Sequence, residues 1–346
     1  MRITRWLPNE VLGQIIQNAP RADQATLCRV SKLFHALVLP YLLRTVFFET
    51  TSEAGFSDRH PVGCALLSYR NSSSRSEPPE ALIKSLKLMR KLEHLRLDDY
   101  LLASHLANFT FPNLFSCTLF VGNAESESLH IPQFLSRHPT ITHLRLPHVT
   151  GEDLEFPAPE FPLPDGCLLP RLQFYDGAVG WLPSFSTRSL AAVRTNWTVK
   201  LPSLVKKLSA LTSSALTVSL GFVSGDQIPT LLEELSIHLP HLGVFKLNCW
   251  GRPGDEEILT QLTATLPRFK CLEYLEHEYR PGRWPVDVHH DRTTLQTWAN
   301  ICPTLKGACI REIASRKIGE NWEKCSKKEF DTAAFSVFKN FLTGDY

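Results

Sequence analysis

The chain has 346 residues, 43% of them hydrophobic and 21% charged, which excludes a disordered protein and leaves room for one large core plus a small module. Its formal net charge is only +2, with no concentrated basic patch, so the composition predicts no nucleic acid or membrane surface as partner. Nine cysteines without a C-x-x-C spacing suit reduced, mostly buried thiols; with no apolar leader in MRITRW and no long apolar run, they predict a cytoplasmic or nuclear protein.

The N-terminal segment reads as helical. Leu7-Pro8 opens a helix, since proline is well placed where its missing N–H has no partner. Val11, Leu12, Ile15 and Ile16 recur at helical spacing. Pro20 ends that helix, and Asp23 is the expected N-cap of the next. Leu27, Val30, Leu33, Phe34, Leu37 and Val38 supply a second apolar stripe, broken at Ser31, which can cap a third helix. Pro40 is expected to stop it, before a short turn and an extended Thr45–Phe48. So short a segment carries more apolar surface than one small helical core covers, so part of it must meet something else.

In order and spacing this stretch resembles an F-box, through Leu7-Pro8, Glu10-Val11-Leu12, Ile15-Ile16, Val30-Ser31, Phe34-His35, Leu37-Val38 and Pro40-Tyr41-Leu42. The resemblance implies a three-helix module over 1–49 that docks onto a Skp-type adaptor and, through it, a cullin. Leu7, Pro8, Val11, Leu12, Ile15, Ile16, Leu27, Val30 and Phe34 are the adaptor-binding residues it implies. The plainer reading of the same residues is a helical cap that only closes a core.

Residues 50–80 read as a connector, with a short helix expected over His60–Tyr69 and a Ser/Pro loop after it. A repeat begins near residue 81. Leu92-Glu93-His94-Leu95-Arg96-Leu97 has the L-x-x-L-x-L signature of leucine-rich-repeat strands. Six prolines each stand two residues before a first apolar position: Pro112, Pro139, Pro170, Pro240, Pro267 and Pro303, ahead of Leu114, Ile141, Leu172, Leu242, Phe269 and Leu305. Weaker copies start at Leu190 and Ala215. Proline cannot extend a helix and pushes its predecessor to extended backbone, so each marks a helix-to-strand turn. The expected fold class is α/β: a three-helix F-box, then over 81–310 a leucine-rich-repeat-like solenoid with a curved parallel sheet and outer helices. The competing architecture is a non-repeating α/β sheet. Residues 151–170 hold five prolines and read as an inserted loop, and residues 311–346 as a cap whose final amphipathic helix covers the open end of the sheet.

Catalytic signatures are missing: there is no G-x-S-x-G elbow, P-loop or H-E-x-x-H. Glu276-His277-Glu278 with His289-His290-Asp291 has metal-ligand residue types, but its spacing fits no site and it reads as a polar loop. Lys327-Lys328 reads as a solvated pair. The expectation is a non-enzymatic adaptor with no cofactor and no metal, the recognition subunit of an SCF-type cullin ubiquitin ligase. The alternatives are a scaffold whose F-box-like cap recruits no ligase, and an α/β hydrolase-like enzyme. Strand alternation turns the third and fifth repeat positions to the open side of the sheet. There His94, His143, Arg96, Arg145, Arg194 and Lys246 are the expected contacts to an acidic or phosphorylated protein substrate.

Overall fold

The computed structural model describes residues 8–42, 45–48, 66–69, 83–84, 86–87, 89–97, 103–120, 130–147, 169–177, 182, 190–196, 205, 208–209, 216–250, 255–279, 288–311, 313–319 and 321–335. The chain divides into two compact units, Met1–Val149 and Thr150–Tyr346.

The first unit opens with α1 (Asn9–Asn18), α2 (Arg21–Cys28) and α3 (Lys32–Leu42), with α3 against both of the others. Pro8 is the N-cap of α1, and its carbonyl accepts from the Val11 and Leu12 amides at 3.1 Å. Pro20 takes the same place before α2, so the cap is not Asp23; Asp23 sits in the first turn, where its charge suits the positive end of the helix. Ser31 does cap α3, its Oγ accepting from the Phe34 amide at 3.2 Å. Pro40 does not stop α3, which runs on to Leu42, although its missing N–H forfeits one intrahelical hydrogen bond.

Five short strands follow, each parallel to the next in chain order: β1 (Thr45–Phe48), β2 (Leu66–Tyr69), β3 (His94–Leu97), β4 (Ser116–Leu119) and β5 (His143–Leu146). Helices α4 (Ala103–Leu106) and α5 (His130–Ser136) lie between β3 and β5. Strand β2 corrects the helix expected there, because ladders to β1 and β3 on both sides outweigh a weak local periodicity.

In the second unit β6 (Phe174–Gly177), β7 (Ala192–Asn196), β8 (Leu216–Ser224), β9 (Leu242–Trp250), β10 (Tyr274–Tyr279) and β11 (Gly307–Ile310) again run parallel in chain order. Three helices separate the last four of them: α6 (Ile228–His238), α7 (Asp255–Thr265) and α8 (Val288–Ile301). First, fourth and sixth repeat positions are buried, as in Leu92/Leu95/Leu97, Ile141/Leu144/Leu146, Leu242/Phe245/Leu247 and Leu305/Ala308/Ile310. The recurring proline has a geometric reason. At six first positions, including Leu114, Leu172 and Leu305, the amide donates to the carbonyl three residues back at 3.0–3.2 Å. Five of these turns carry proline second, at 112, 139, 170, 240 and 303, where its fixed φ fits a β-turn.

One repeat is out of step with its proline. Phe269 makes the same turn, but Leu275, not Leu272, lies opposite Phe245 and Ala308. Three extra residues precede this strand, so its inward-facing set is Leu272, Leu275 and His277, and its fifth position is Glu276 rather than Glu273.

The C-terminal cap is also corrected. Strands β12 (Ile313–Ile318) and β13 (Asn321–Lys324) pair antiparallel beyond β11 and end the parallel run, with Gly319 at φ +61° in their turn. The amphipathic helix α9 (Lys327–Ala334) lies not at the end of the sheet but on its face. Phe330, Ala334 and Phe335 pack with Phe174, Ala192, Cys309 and Ala314, and Val244 and Tyr274 border them. Alternation places Val244, Tyr274 and Cys309 on the opposite face from Phe245, Leu275 and Ala308. Phe338, Phe341 and Leu342, expected to continue this helix, lie outside the described residues, as do residues 151–168.

Candidate interaction sites

Helix α1 has two apolar faces. Leu12 and Ile16, one turn apart, are 6% and 1% exposed and form the module's core with Val38. Val11 and Ile15, one residue earlier on each turn, point out, and Ile15 is 53% exposed. Val30, in the turn between α2 and α3, is 63% exposed, and Leu33 beside it is exposed as well. Pro8 is exposed, while Leu27 and Phe34 are half-buried. The nine residues implied for adaptor contact therefore separate. Pro8, Val11, Ile15 and Val30 are open to a partner; Leu12 and Ile16 support them from within; Leu7 lies outside the described residues. Leu33 joins the open set, since the stripe it belongs to gave no way to tell its inner from its outer members. Buried Gln24 fixes the module's angle: its side-chain amide donates to the carbonyls of Ile16 at 2.8 Å and Ala19 at 3.0 Å, closing the end of α1.

On the open face of β3–β5, register aligns His94, Ser116 and His143 in one row and Arg96, Thr118 and Arg145 in the next. Both arginines are half-buried and flank the buried Thr118 two strands apart, a span of roughly 10 Å. His94 stands edge-on to the Phe115 ring, with centroids 4.3 Å apart. His143 contacts the Thr142 hydroxyl at 2.7 Å; burial, with His94 nearby, brings its pKa down to about 4. At neutral pH that ring therefore offers a hydrogen bond and no charge.

The open face of β9–β11 is occupied. Register places Asp176, Arg194, Ser219, Lys246, Glu276 and Cys309 in one row. Lys246, expected to meet a substrate, instead pairs with Glu276 at 2.8 Å and Glu278 at 3.0 Å, its ammonium 5.9 Å from the Phe335 ring. Lys327 of α9, read as solvated, pairs with Glu276, with Asp331 at 2.9 Å and with Glu278 at 3.3 Å. Glu276-His277-Glu278 is thus part of strand β10 and not a polar loop. Three carboxyls meet two ammoniums here, and one shared proton makes the cluster neutral. Glu276, 1% exposed, is the group that holds it: burial raises its pKa to about 7, and the hydrogen bond it shares with Glu278 adds to the rise against the pull of both lysines. Burial alone would raise Glu278 too, but that shared proton and the lysines hold it down at about 2. In the sequence Glu276 and Glu278 read as a polar loop and Lys327 as a solvated cation, and Asp331 does not stand out, because the two segments are distant in the chain.

Among the described residues no group of His, Cys, Asp or Glu is placed to hold a metal ion, and no helix is long and apolar enough to cross a membrane. The Cys309 thiol is pushed up to about 12 by burial, and Cys117 is raised by burial as well, so neither is an activated nucleophile.

A family model for the F-box domain matches residues 5–40, which takes in α1, α2 and most of α3. An F-box domain is therefore present at the N-terminus. No curated protein matches the chain.

Proposed function

We propose that the protein is the substrate-recognition subunit of an SCF-type cullin ubiquitin ligase, and that its parallel sheet is an irregular leucine-rich-repeat solenoid. The F-box holds the Skp-type adaptor and through it the cullin. Ubiquitin transfer belongs to other subunits, and this chain contributes proximity and orientation. The observation that carries the reading is that, within the matched stretch, Val11, Ile15, Val30 and Leu33 are exposed while Leu12, Ile16 and Val38 close the core behind them. Exposed apolar side chains backed by a complete core are what a docking surface requires. The substrate is an acidic or phosphorylated segment laid over β3–β5, with Arg96 and Arg145 gripping it in bidentate fashion and His94 and His143 beside them.

The test uses purified full-length chain and a purified Skp-type adaptor. Ile15→Asp with Val30→Asp should weaken adaptor binding by roughly 30-fold or more and leave the melting temperature unchanged. Wild-type protein that captures no adaptor, or a double variant that captures it equally well, refutes the ligase reading. Arg96→Glu with Arg145→Glu should keep the adaptor and lose binding of acidic or phosphorylated peptides, and wild-type peptide binding should weaken with salt.

A further inference from the structure

In the second unit, one short segment of the chain already sits where a partner would. We infer that the open face of strands β9–β11 is a docking groove for a short amphipathic helix bearing a cation one turn ahead of an aromatic side chain, and that α9 is a displaceable occupant of that groove. This rests on the reading of the sheet's open face as a recognition surface. Four observations carry it. First, the sheet buries a separate apolar set on its other face: Leu242, Phe245, Leu247, Leu272, Leu275, Ala308 and Ile310. Second, α9 is self-contained. Ser326 Oγ accepts from the Glu329 amide, and the Glu329 carboxylate accepts from the Ser326 amide, so undocking orphans neither group. Third, among the described residues its buried apolar contacts with the sheet come from Phe330, Ala334 and Phe335, with Cys325 at the margin. Fourth, the groove is complementary to a cation. Glu276 and Glu278 lie in its floor and pair with Lys246 of the sheet, and Lys327 of α9 supplies a second ammonium. Beside that acidic floor lies the apolar strip of Phe174, Ala192, Val244 and Tyr274, with the Tyr274 ring edge-on to Phe330 at 6.0 Å.

A partner helix with a lysine or arginine, an aromatic three residues on, and a small and an aromatic residue one turn later reproduces the contacts of Lys327, Phe330, Ala334 and Phe335 described above. While α9 is docked, such a partner binds more weakly by the fraction of time the groove is free. The probe is a fluorescein-labelled synthetic peptide of residues 326–335, titrated into the full-length chain and followed by polarisation. The full-length variant Lys327→Glu with Phe330→Ser should bind it about ten-fold tighter than wild type does, if α9 is docked about nine-tenths of the time. A peptide carrying the same two changes should bind neither protein. In wild-type protein the α9 amides should exchange hydrogen about 100-fold faster than those of β9 and β10. Equal peptide affinity for both proteins, loss of a cooperative melt in the variant, or α9 amides exchanging at the rate of the strands would each overturn the proposal by making α9 a fixed part of the fold. Adaptor capture by the same variant should be unchanged, so a failure here is distinguishable from a failure of the ligase reading.

Discussion

Replacing Glu276 by Gln should remove a pH dependence that the wild-type fold carries. The ordinary carboxyl value is 4.5, and Glu276 is raised to about 7 with burial as the largest cause. Between those values the folded chain holds a proton that the unfolded chain has released. The unfolded state then binds fewer protons, so stability from this group is fully present below pH 4.5 and is lost as pH rises to about 7. At about 1.4 kcal/mol per pH unit the loss is on the order of 3 kcal/mol. Glutamine keeps a donor for Glu278 and cannot ionise. Lys246 and Lys327 retain Glu278, and Lys327 also retains Asp331, so no ammonium is left buried without a carboxylate. Urea unfolding followed by far-UV circular dichroism should be run on both proteins at pH 5, 6, 7 and 8. The stability of Glu276→Gln relative to wild type should rise by about 2–3 kcal/mol from pH 5 to pH 8, most of it below pH 7. Taking the difference cancels His138 and His143, which titrate in both proteins. Parallel curves for the two proteins would refute the shared-proton account and leave both glutamates ionised.

The helical module and the repeats give further expectations. Leu12→Ala should cost about 2–5 kcal/mol of stability, whereas Ile15→Ala should stay within about 0.5 kcal/mol and show only in adaptor binding; equal melting shifts would mean that α1 is not two-faced. Gln24→Leu removes the side-chain donor to the Ala19 and Ile16 carbonyls, of which Ile16 keeps the Ala19 amide, and should cost about 1–3 kcal/mol in a thermal melt. Gly307→Ala places a Cβ 2.8 Å from Tyr274 Cδ1 and 3.3 Å from Phe330 Cε2, so it should destabilise by about 1–3 kcal/mol and speed hydrogen exchange in α9. His138 is buried between the Phe111 amide, which donates to Nε2 at 2.8 Å, and the Phe134 carbonyl at Nδ1, 2.7 Å away. Burial lowers its pKa below 6.5, so its contribution is present above pH 6.5 and lost as pH falls; an NMR titration with a midpoint at or above 6.5 would contradict this.

What the sequence made legible follows from which interactions are local. The Pro-x-apolar step stands out because one turn type demands it, and it located β4, β5, β6, β9 and β11. The same signal misplaced β10. The turn at Phe269 is intact there, and nothing local says that three more residues precede the strand; only pairing with Phe245 and Ala308 decides it. Strands β2, β12 and β13 went unread because they are short, lie outside the repeat and are stabilised by neighbours in the sheet. In α1 the spacing of Val11, Leu12, Ile15 and Ile16 gave the helix, but four apolar residues in two adjacent rows do not say which row is inside.

The open-face polar residues show the same divide at the level of charge. His94, Arg96, His143 and Arg145 fall in the rows that alternation assigned to them, because rows three and five depend only on a period of two. Lys246 falls in its row as well, yet its role changes. Its partners are Glu276 and Glu278 one strand away, and the helix that covers it arrives from residues 327–334. A lone lysine on a sheet face reads as a free cation; a lysine beside a buried carboxyl that needs a proton to reach neutrality is held by its own fold. That distinction rests on burial, and burial of Glu276 depends on α9, which the pattern of Phe330 and Ala334 showed to be amphipathic without showing what it covers. A substitution confined to α9 therefore changes the ionisation of a strand residue: Phe330→Ser should bring the Glu276 carboxyl back toward its ordinary value by letting water reach it. Carbon-detected NMR of the Glu276 side chain across pH 4–8 would register that change, and a titration midpoint identical to wild type would show that burial beneath α9 is not what raises it.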